Sequence, residues 1–120
     1  MPNAPDILNR LEAGLRGATL RQALIANNLA NLDTPGYRRS DTNFEKVLAD
    51  AIQSGKPVDF SDADAGILTP SSTPVAANGN DVDIDMEVGE MVKNSSLTKA
   101  YVRLVGRTYR LMDMAMKDSL

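Results

Sequence analysis

Apolar residues alternate at spacings of three and four near both ends of the chain, a period typical of helices that pack lengthwise. The N-terminal series is Leu8, Leu11, Leu15, Ala18, Gln22, Ile25, Leu29 and Leu32. The C-terminal series is Ile84, Val88, Met91, Ser95, Thr98, Val102, Val105, Tyr109, Met112 and Met116. We therefore predict a mainly α fold in which an N-terminal helix (residues 1–32, with Asp6 as N-cap) and a C-terminal helix (residues 83–120) form an antiparallel coiled coil.

A second apolar series widens the apolar face of the C-terminal helix. It comprises Leu97, Tyr101, Leu104, Thr108, Leu111 and Ala115. From Leu97 onward the two series occupy almost half of the helix circumference, which is wider than one partner helix covers. Because a helix of this length extends about 50 Å at about 1.5 Å per residue, one helix pair cannot enclose a core. The sequence therefore predicts further helices from other subunits.

The N-terminal helix runs into an asparagine-rich stretch, Ala26–Asn31, and then into Thr34–Tyr37. Asparagine is unfavourable inside helices because its amide competes for backbone groups. Asn27, Asn28 and Asn31 therefore fit either a solvated, frayed helix end or amides that hydrogen-bond to another helix or subunit. The adjoining apolar series favours the second interpretation. The turn residues are Thr34, Pro35, Gly36 and Tyr37, and they match a type II turn because proline fixes φ and glycine accepts a positive φ.

Residues 33–82 form a middle segment with four of the six prolines. One short helix is predicted near residues 43–52, and the rest is irregular. Its apolar content is too small for a core of its own, so we expect it to be flexible in the monomer. At the start of the next segment, Val82–Val88 alternates apolar and acidic residues, which also fits a strand. We favour a helix there, since the helical spacing continues and acids stabilise helix N-termini.

The net charge of −3 is unevenly distributed, with +2 over residues 1–40, −9 over residues 41–91 and +4 over residues 92–120. The basic residues lack aromatic interleaving and a known motif, so nucleic-acid binding is not expected. The C-terminal helix carries a basic ridge at helical spacing, formed by Lys99, Arg103, Arg107 and Arg110. It is either a solvated face or a surface that pairs with an acidic segment of a neighbour.

The composition argues against catalytic chemistry, because the chain has no Cys and no His. We expect neither an enzyme nor a cofactor, metal or small-molecule site. The acids from Asp81 onward begin like a calcium loop, but Met86 replaces the required glycine. Gly14 and Gly17 do not form a phosphate loop, and they indicate either close helix packing or simple tolerance. No Sec-type signal and no membrane-length apolar run are present.

Two motifs carry a resemblance to a known family. Ala26–Asn31 followed by Thr34–Tyr37, and Gly79–Asp83 together with Asn94 and Leu97, resemble the flagellar axial rod and hook proteins, and within them the proximal rod proteins. The resemblance implies a single core domain of the type called D0, built from both terminal helices. It also implies a structural rod subunit that assembles helically and transmits motor torque. A sister rod protein, or a non-polymerising coiled-coil adaptor or export chaperone, is the alternative.

The resemblance also implies partners and sites. The partners would be the chain itself and other rod proteins, the inner-membrane ring with an adaptor protein at the rod base, and the flagellar type III export gate. The location would be the periplasmic rod of the basal body, reached without a Sec signal. Phe44 and Leu48 match an export-gate motif. The expected assembly interface comprises Leu15, Ile25, Asn27, Asn28, Leu29, Asn31, Leu32, Leu97, Tyr101, Leu104 and Leu111.

Overall fold

A computed structural model describes residues 3–56 and 66–118 of the chain. The elements are α1 (Ala4–Ala30), β1 (Asp41–Thr42), α2 (Phe44–Ser54), β2 (Ile67–Leu68) and α3 (Ile84–Asp118). The predicted mainly α fold with long terminal helices is confirmed. In the described ranges, no helix contains a stretch long and apolar enough to cross a bilayer.

Helix α1 begins one turn earlier than the sequence predicts. Its N-cap is Asn3, whose side chain accepts a hydrogen bond from the Asp6 backbone N–H, while the Asp6 carboxylate accepts from the Asn3 N–H. This reciprocal capping box satisfies two backbone donors at the helix start. The prediction of Asp6 as N-cap was therefore wrong, because Asp6 is the third helical residue and Asn3 offers the better cap. At the other end, the Asn31 N–H donates to the Asn27 carbonyl at 3.1 Å.

Helices α1 and α3 pack antiparallel along most of their length. Asn28 contacts Glu87, Asn94 Nδ2 donates to the Ala18 carbonyl at 2.8 Å, and Tyr109 Oη donates to Glu12 at 2.9 Å. The line of α3 that meets α1 runs through Glu87, Asn94 and Tyr101, which are seven residues apart. Five members of the predicted first series are instead exposed, namely Ile84, Val88, Val102, Tyr109 and Met116.

The glycines of α1 allow two aromatic rings to approach its backbone. A Cβ on Gly14 would lie 2.4 Å from the Tyr101 ring, and a Cβ on Gly17 would lie 2.3 Å from the Phe44 ring. Of the two interpretations left open by the sequence, close packing is therefore correct. Tyr101 brings α3 onto α1, and Phe44 brings α2 onto the same helix.

The middle segment is mostly irregular but contacts the helices through polar groups. Strands β1 and β2 pair antiparallel, with Asp41 opposite Leu68 and Thr42 opposite Ile67. This short sheet was not predicted, because two-residue strands carry no periodic signal. The segment Val82–Val88 is helical from Ile84, as favoured. The Asp83 carboxylate accepts from the backbone N–H groups of residues 85 and 86, which supports the helix start.

Candidate functional site

The asparagine-rich end of α1 is built around Asn28, which is 0% exposed. Its Nδ2 donates to the Ser40 carbonyl at 2.8 Å and to Glu87 Oε2 at 3.3 Å. Its Oδ1 accepts from the Tyr37 hydroxyl at 3.0 Å and from the Ser40 N–H at 2.9 Å. These bonds use the two donors and two lone pairs of the amide. The Asn28 amide therefore hydrogen-bonds to another helix, α3, of the same chain, and its contact with a neighbouring subunit stays a prediction.

Asn27 and Asn31 also bond within the chain, although both remain accessible. Asn27 Nδ2 donates to the Tyr37 hydroxyl at 2.9 Å. Asn31 Nδ2 donates to the Asn27 carbonyl at 2.8 Å, and its Oδ1 accepts from Thr34 at 3.2 Å. The helix end is thus fastened by its own side chains and is not frayed. A contact of Asn27 or Asn31 with a neighbouring subunit stays a prediction.

The turn that follows has the geometry its sequence predicts. Gly36 has φ 74°, and the Tyr37 N–H donates to the Thr34 carbonyl at 3.2 Å across Pro35. Gly36 also donates its N–H to the Asn78 carbonyl at 2.8 Å. The turn therefore connects α1 to the segment that leads into α3.

A buried ion pair joins the segment after the turn to α3. Arg39 Nε donates to Glu87 Oε1 at 2.5 Å, and the two residues are 2% and 0% exposed. Burial opposes the charge of Arg39, but the hydrogen bond and attraction from Glu87 outweigh it and raise the pKa of the guanidinium. Removing one partner of such a pair leaves an uncompensated buried charge, which is strongly destabilising.

Asn80 and Asp81, just before α3, bond to the backbone at the end of α1 and in the segment that follows it. Asn80 Nδ2 donates to the carbonyls of Asn31 and Thr34 at 2.9 and 2.8 Å. Asp81 Oδ1 accepts the Arg39 backbone N–H at 2.6 Å. We call Asn28, Tyr37, Arg39, Asn80, Asp81 and Glu87 the polar junction. It fixes the end of α1 to the start of α3.

Sequence reasoning missed Arg39 and Glu87 as members of this site. Glu87 lies seven residues before Asn94 and fourteen before Tyr101, so these three residues share one heptad position. A glutamate on the line that contacts the partner helix is the signal that could have revealed a buried ion pair.

Burial also raises the pKa of the Tyr37 hydroxyl, which therefore stays a neutral donor.

Phe44 of the predicted export-gate motif is enclosed in the folded chain. Its ring is 0% exposed against Gly17, and the Arg21 guanidinium lies 4.8 Å from the ring centroid. Arg21 is held there by Glu45 and by the Thr42 carbonyl, to which Nη2 donates at 2.6 Å. The hydrogen bond that Arg21 donates to the Glu45 carboxylate raises the pKa of Arg21. Leu48, one turn along α2, is half-buried.

The predicted interface residues differ in how exposed to solvent they are in the single chain. Ile25 is 2% exposed in the single chain, and its contact with a neighbouring subunit stays a prediction. The half-buried members are Leu15, Leu29, Leu32, Leu97 and Tyr101. Leu104 and Leu111 are 45% and 54% exposed, so both present apolar surface outward.

Known proteins are similar to this chain in sequence. The family model described as flagella basal body rod protein matches residues 8–38, which cover most of α1 and the turn. The flagellar basal body rod protein FlgB of Bacillus subtilis is 36% identical over 104 residues, covering 79% of this chain and 81% of the relative. The chain belongs to the FlgB family of flagellar basal body rod proteins. The asparagine-rich motif and the turn both lie in the residues that the family model matches.

Two further relatives extend the comparison. FlgB of Borreliella burgdorferi is 26% identical over 117 residues, covering 82% of this chain and 87% of its own length. FlgB of Escherichia coli is 30% identical over 113 residues, covering 74% of this chain and 82% of its own.

Proposed function

We propose that this chain is a structural subunit of the proximal rod of the flagellar basal body, where it assembles helically and transmits torque. Membership in the FlgB family supports the rod assignment. The observation that carries helical assembly is the apolar surface that α3 leaves exposed. Leu104 and Leu111 lie on it at the same heptad position.

The chain alone encloses little apolar volume. Within the described residues, the apolar side chains that are fully buried are Ala13, Ala18, Ile25 and Phe44. The exposed large apolar residues of α3 are Ile84, Val88, Val92, Val102, Leu104, Tyr109, Leu111, Met114 and Met116. Burial of apolar surface contributes about 25 cal/mol per Å², so covering this helix in an assembly is strongly favourable.

The exposed residues flank the α1 contact on both sides. Each residue rotates by about 100° around the helix axis. Leu104 therefore lies about 60° to one side of Tyr101, and Val102 lies about 100° to the other. Contact with α1 leaves both flanks of α3 free. Two flanks suit a helical array in which one subunit touches neighbours on either side.

The partners in this proposal are other copies, other rod proteins, and the inner-membrane ring with an adaptor protein at the rod base. The subunit reaches the periplasmic rod through the type III export gate. Phe44 and Leu48 would meet that gate only in the unfolded chain, because folding encloses Phe44 against α1. The role is structural, with no catalytic step, cofactor, nucleic acid or small-molecule substrate.

A substitution at Leu104 tests this function. Leu104→Asp places a charge on a surface that the monomer leaves in solvent, so the folded monomer should tolerate it. We expect loss of swimming in a strain that lacks the chromosomal copy, with the variant still exported. Val75→Asp, at a loop residue that is 48% exposed, is the matched control and should swim. Wild-type swimming of the Leu104 variant would contradict assembly through this face.

A further inference from the structure

The basic ridge of α3 lies on the side of the helix opposite α1. At about 100° of rotation per residue, Lys99, Arg103, Arg107 and Arg110 centre about half a turn from the line through Glu87, Asn94 and Tyr101. All four side chains are exposed. The ridge is therefore available to a partner that approaches from outside the helix pair.

The ridge has no anionic partner among residues 3–56 and 66–118. The ion pairs between exposed residues of α3 are Lys93 with Glu90 and Lys117 with Asp113, and neither includes a ridge residue. Successive ridge residues are three or four apart, so their like charges face one another and destabilise the helix. The helix dipole does not account for them, because its effect is confined to the last turn and α3 continues to Asp118.

The opposite end of the molecule is acidic. Asp33, Asp83 and Asp85 are exposed, and no ion pair involves them within the described part of the chain. Asn80 bonds to the carbonyls of Asn31 and Thr34, so the end of α1 lies beside the start of α3. The three carboxylates therefore lie at one end of the helix pair, whereas the ridge lies further along α3, toward its C-terminus.

We infer that the basic ridge docks the acidic end of a second copy of this chain. This inference rests on the proposed rod assembly and adds the charged contact that sets the relative position of two copies. Because the ridge and the acidic end are two different patches of one chain, the contact between copies is heterologous (head-to-tail), which generates a ring or a helical array. Val92 and Val102, at 60% and 54% exposure, border the ridge and would be covered by the same contact.

Reciprocal charge reversal tests the contact in the purified full-length chain. The ridge variant is Arg103→Glu with Arg107→Glu, and the end variant is Asp33→Lys with Asp85→Lys. Asp83 is kept, since its carboxylate supports the start of α3. The measurement is made in low salt, because the Debye length is then about 30 Å at about 0.01 M. We expect sedimentation to show that each variant self-associates roughly tenfold more weakly than the unmodified chain, because charge reversal places like charges opposite each other in the contact. An equimolar mixture of the two variants should recover association.

A matched control has the same charge change at another place. Lys56→Glu with Lys93→Glu alters two exposed bases outside the ridge and should associate like the unmodified chain. Equal association of the ridge variant and the control would overturn the inference, as would failure of the mixture to recover. If the unmodified chain does not self-associate, the contact between copies is also overturned. The rod function is tested separately by swimming of the Leu104 variant, so the two failures are distinguishable.

Discussion

Asn28 shows how a single residue can decide the path of the chain. Its amide bonds to the segment after the turn and to Glu87 of α3, and it has no exposed surface. A helix-interior asparagine is unfavourable on local grounds, but here the amide replaces the hydrogen bonds that an irregular, buried backbone would otherwise lack. The residue therefore defines where α1 ends and where the next segment runs.

Replacing Asn28 should be much more costly than replacing its neighbour. We predict that Asn28→Ala lowers the free energy of unfolding by about 3 kcal/mol, since buried partners left unsatisfied cost about 1–3 kcal/mol each. Asn27→Ala removes an exposed hydrogen bond to Tyr37 and a longer one, at 3.4 Å, from Asn31, and should cost about 1 kcal/mol or less. Urea unfolding followed by circular dichroism measures both values. Equal losses in the two variants would contradict the buried role of Asn28.

At the scale of elements, α1 is the helix that contacts both α2 and α3. Its two glycines receive Phe44 from α2 and Tyr101 from α3. Glycine weakens an isolated helix by about 1 kcal/mol relative to alanine, and this loss is offset by the close approach of the rings. The small residues of α1 therefore determine how near its neighbours lie.

Two alanine substitutions separate packing from helix propensity. Gly17→Ala should destabilise the fold by about 1–3 kcal/mol, the usual cost of overpacking, because the new Cβ meets the Phe44 ring at 2.3 Å and its Cβ at 2.8 Å. Gly89→Ala, with no atom within 4 Å of the added Cβ, should stabilise α3 by about 1 kcal/mol. Thermal unfolding gives the sign of each change. A stabilised Gly17 variant would contradict the close packing of α2 on α1.

The sequence predicted the elements better than their contacts. The apolar spacing and the Thr34–Tyr37 motif located both long helices and the turn, because these depend on local residue preferences. The face of α3 that meets α1 was predicted only in part. Tyr101 belongs to the second apolar series, but Glu87 and Asn94 lie on the same face, and periodicity counts only apolar residues. Arg39 was missed for the same reason. A buried ion pair depends on a partner 48 residues away, which local patterns do not encode.

At the scale of the whole molecule, the chain is elongated, with principal extents of 67 × 27 × 18 Å. Its radius of gyration is 17.7 Å, whereas a compact domain of this length would have about 14 Å. Among residues 3–56 and 66–118, three of the four largest fully buried side chains are polar, namely Glu87, Asn28 and Asp81. The monomer is thus held together by its polar junction, and large apolar residues of α3 remain exposed. This division matches a subunit whose hydrophobic contacts form in the assembly.

The central claim, that the outward flank of α3 is buried in the rod, can be measured at one residue. Because the chain has no Cys, Leu111→Cys carries a single thiol at a site that is 54% exposed in the monomer. The measurement is the rate of maleimide labelling in isolated basal bodies, compared with the purified monomer, with Val75→Cys as control. We predict fast labelling of the Leu111 variant as monomer and strong protection in basal bodies, while the control reacts equally in both. Equal labelling of the Leu111 variant in both states would contradict the claim.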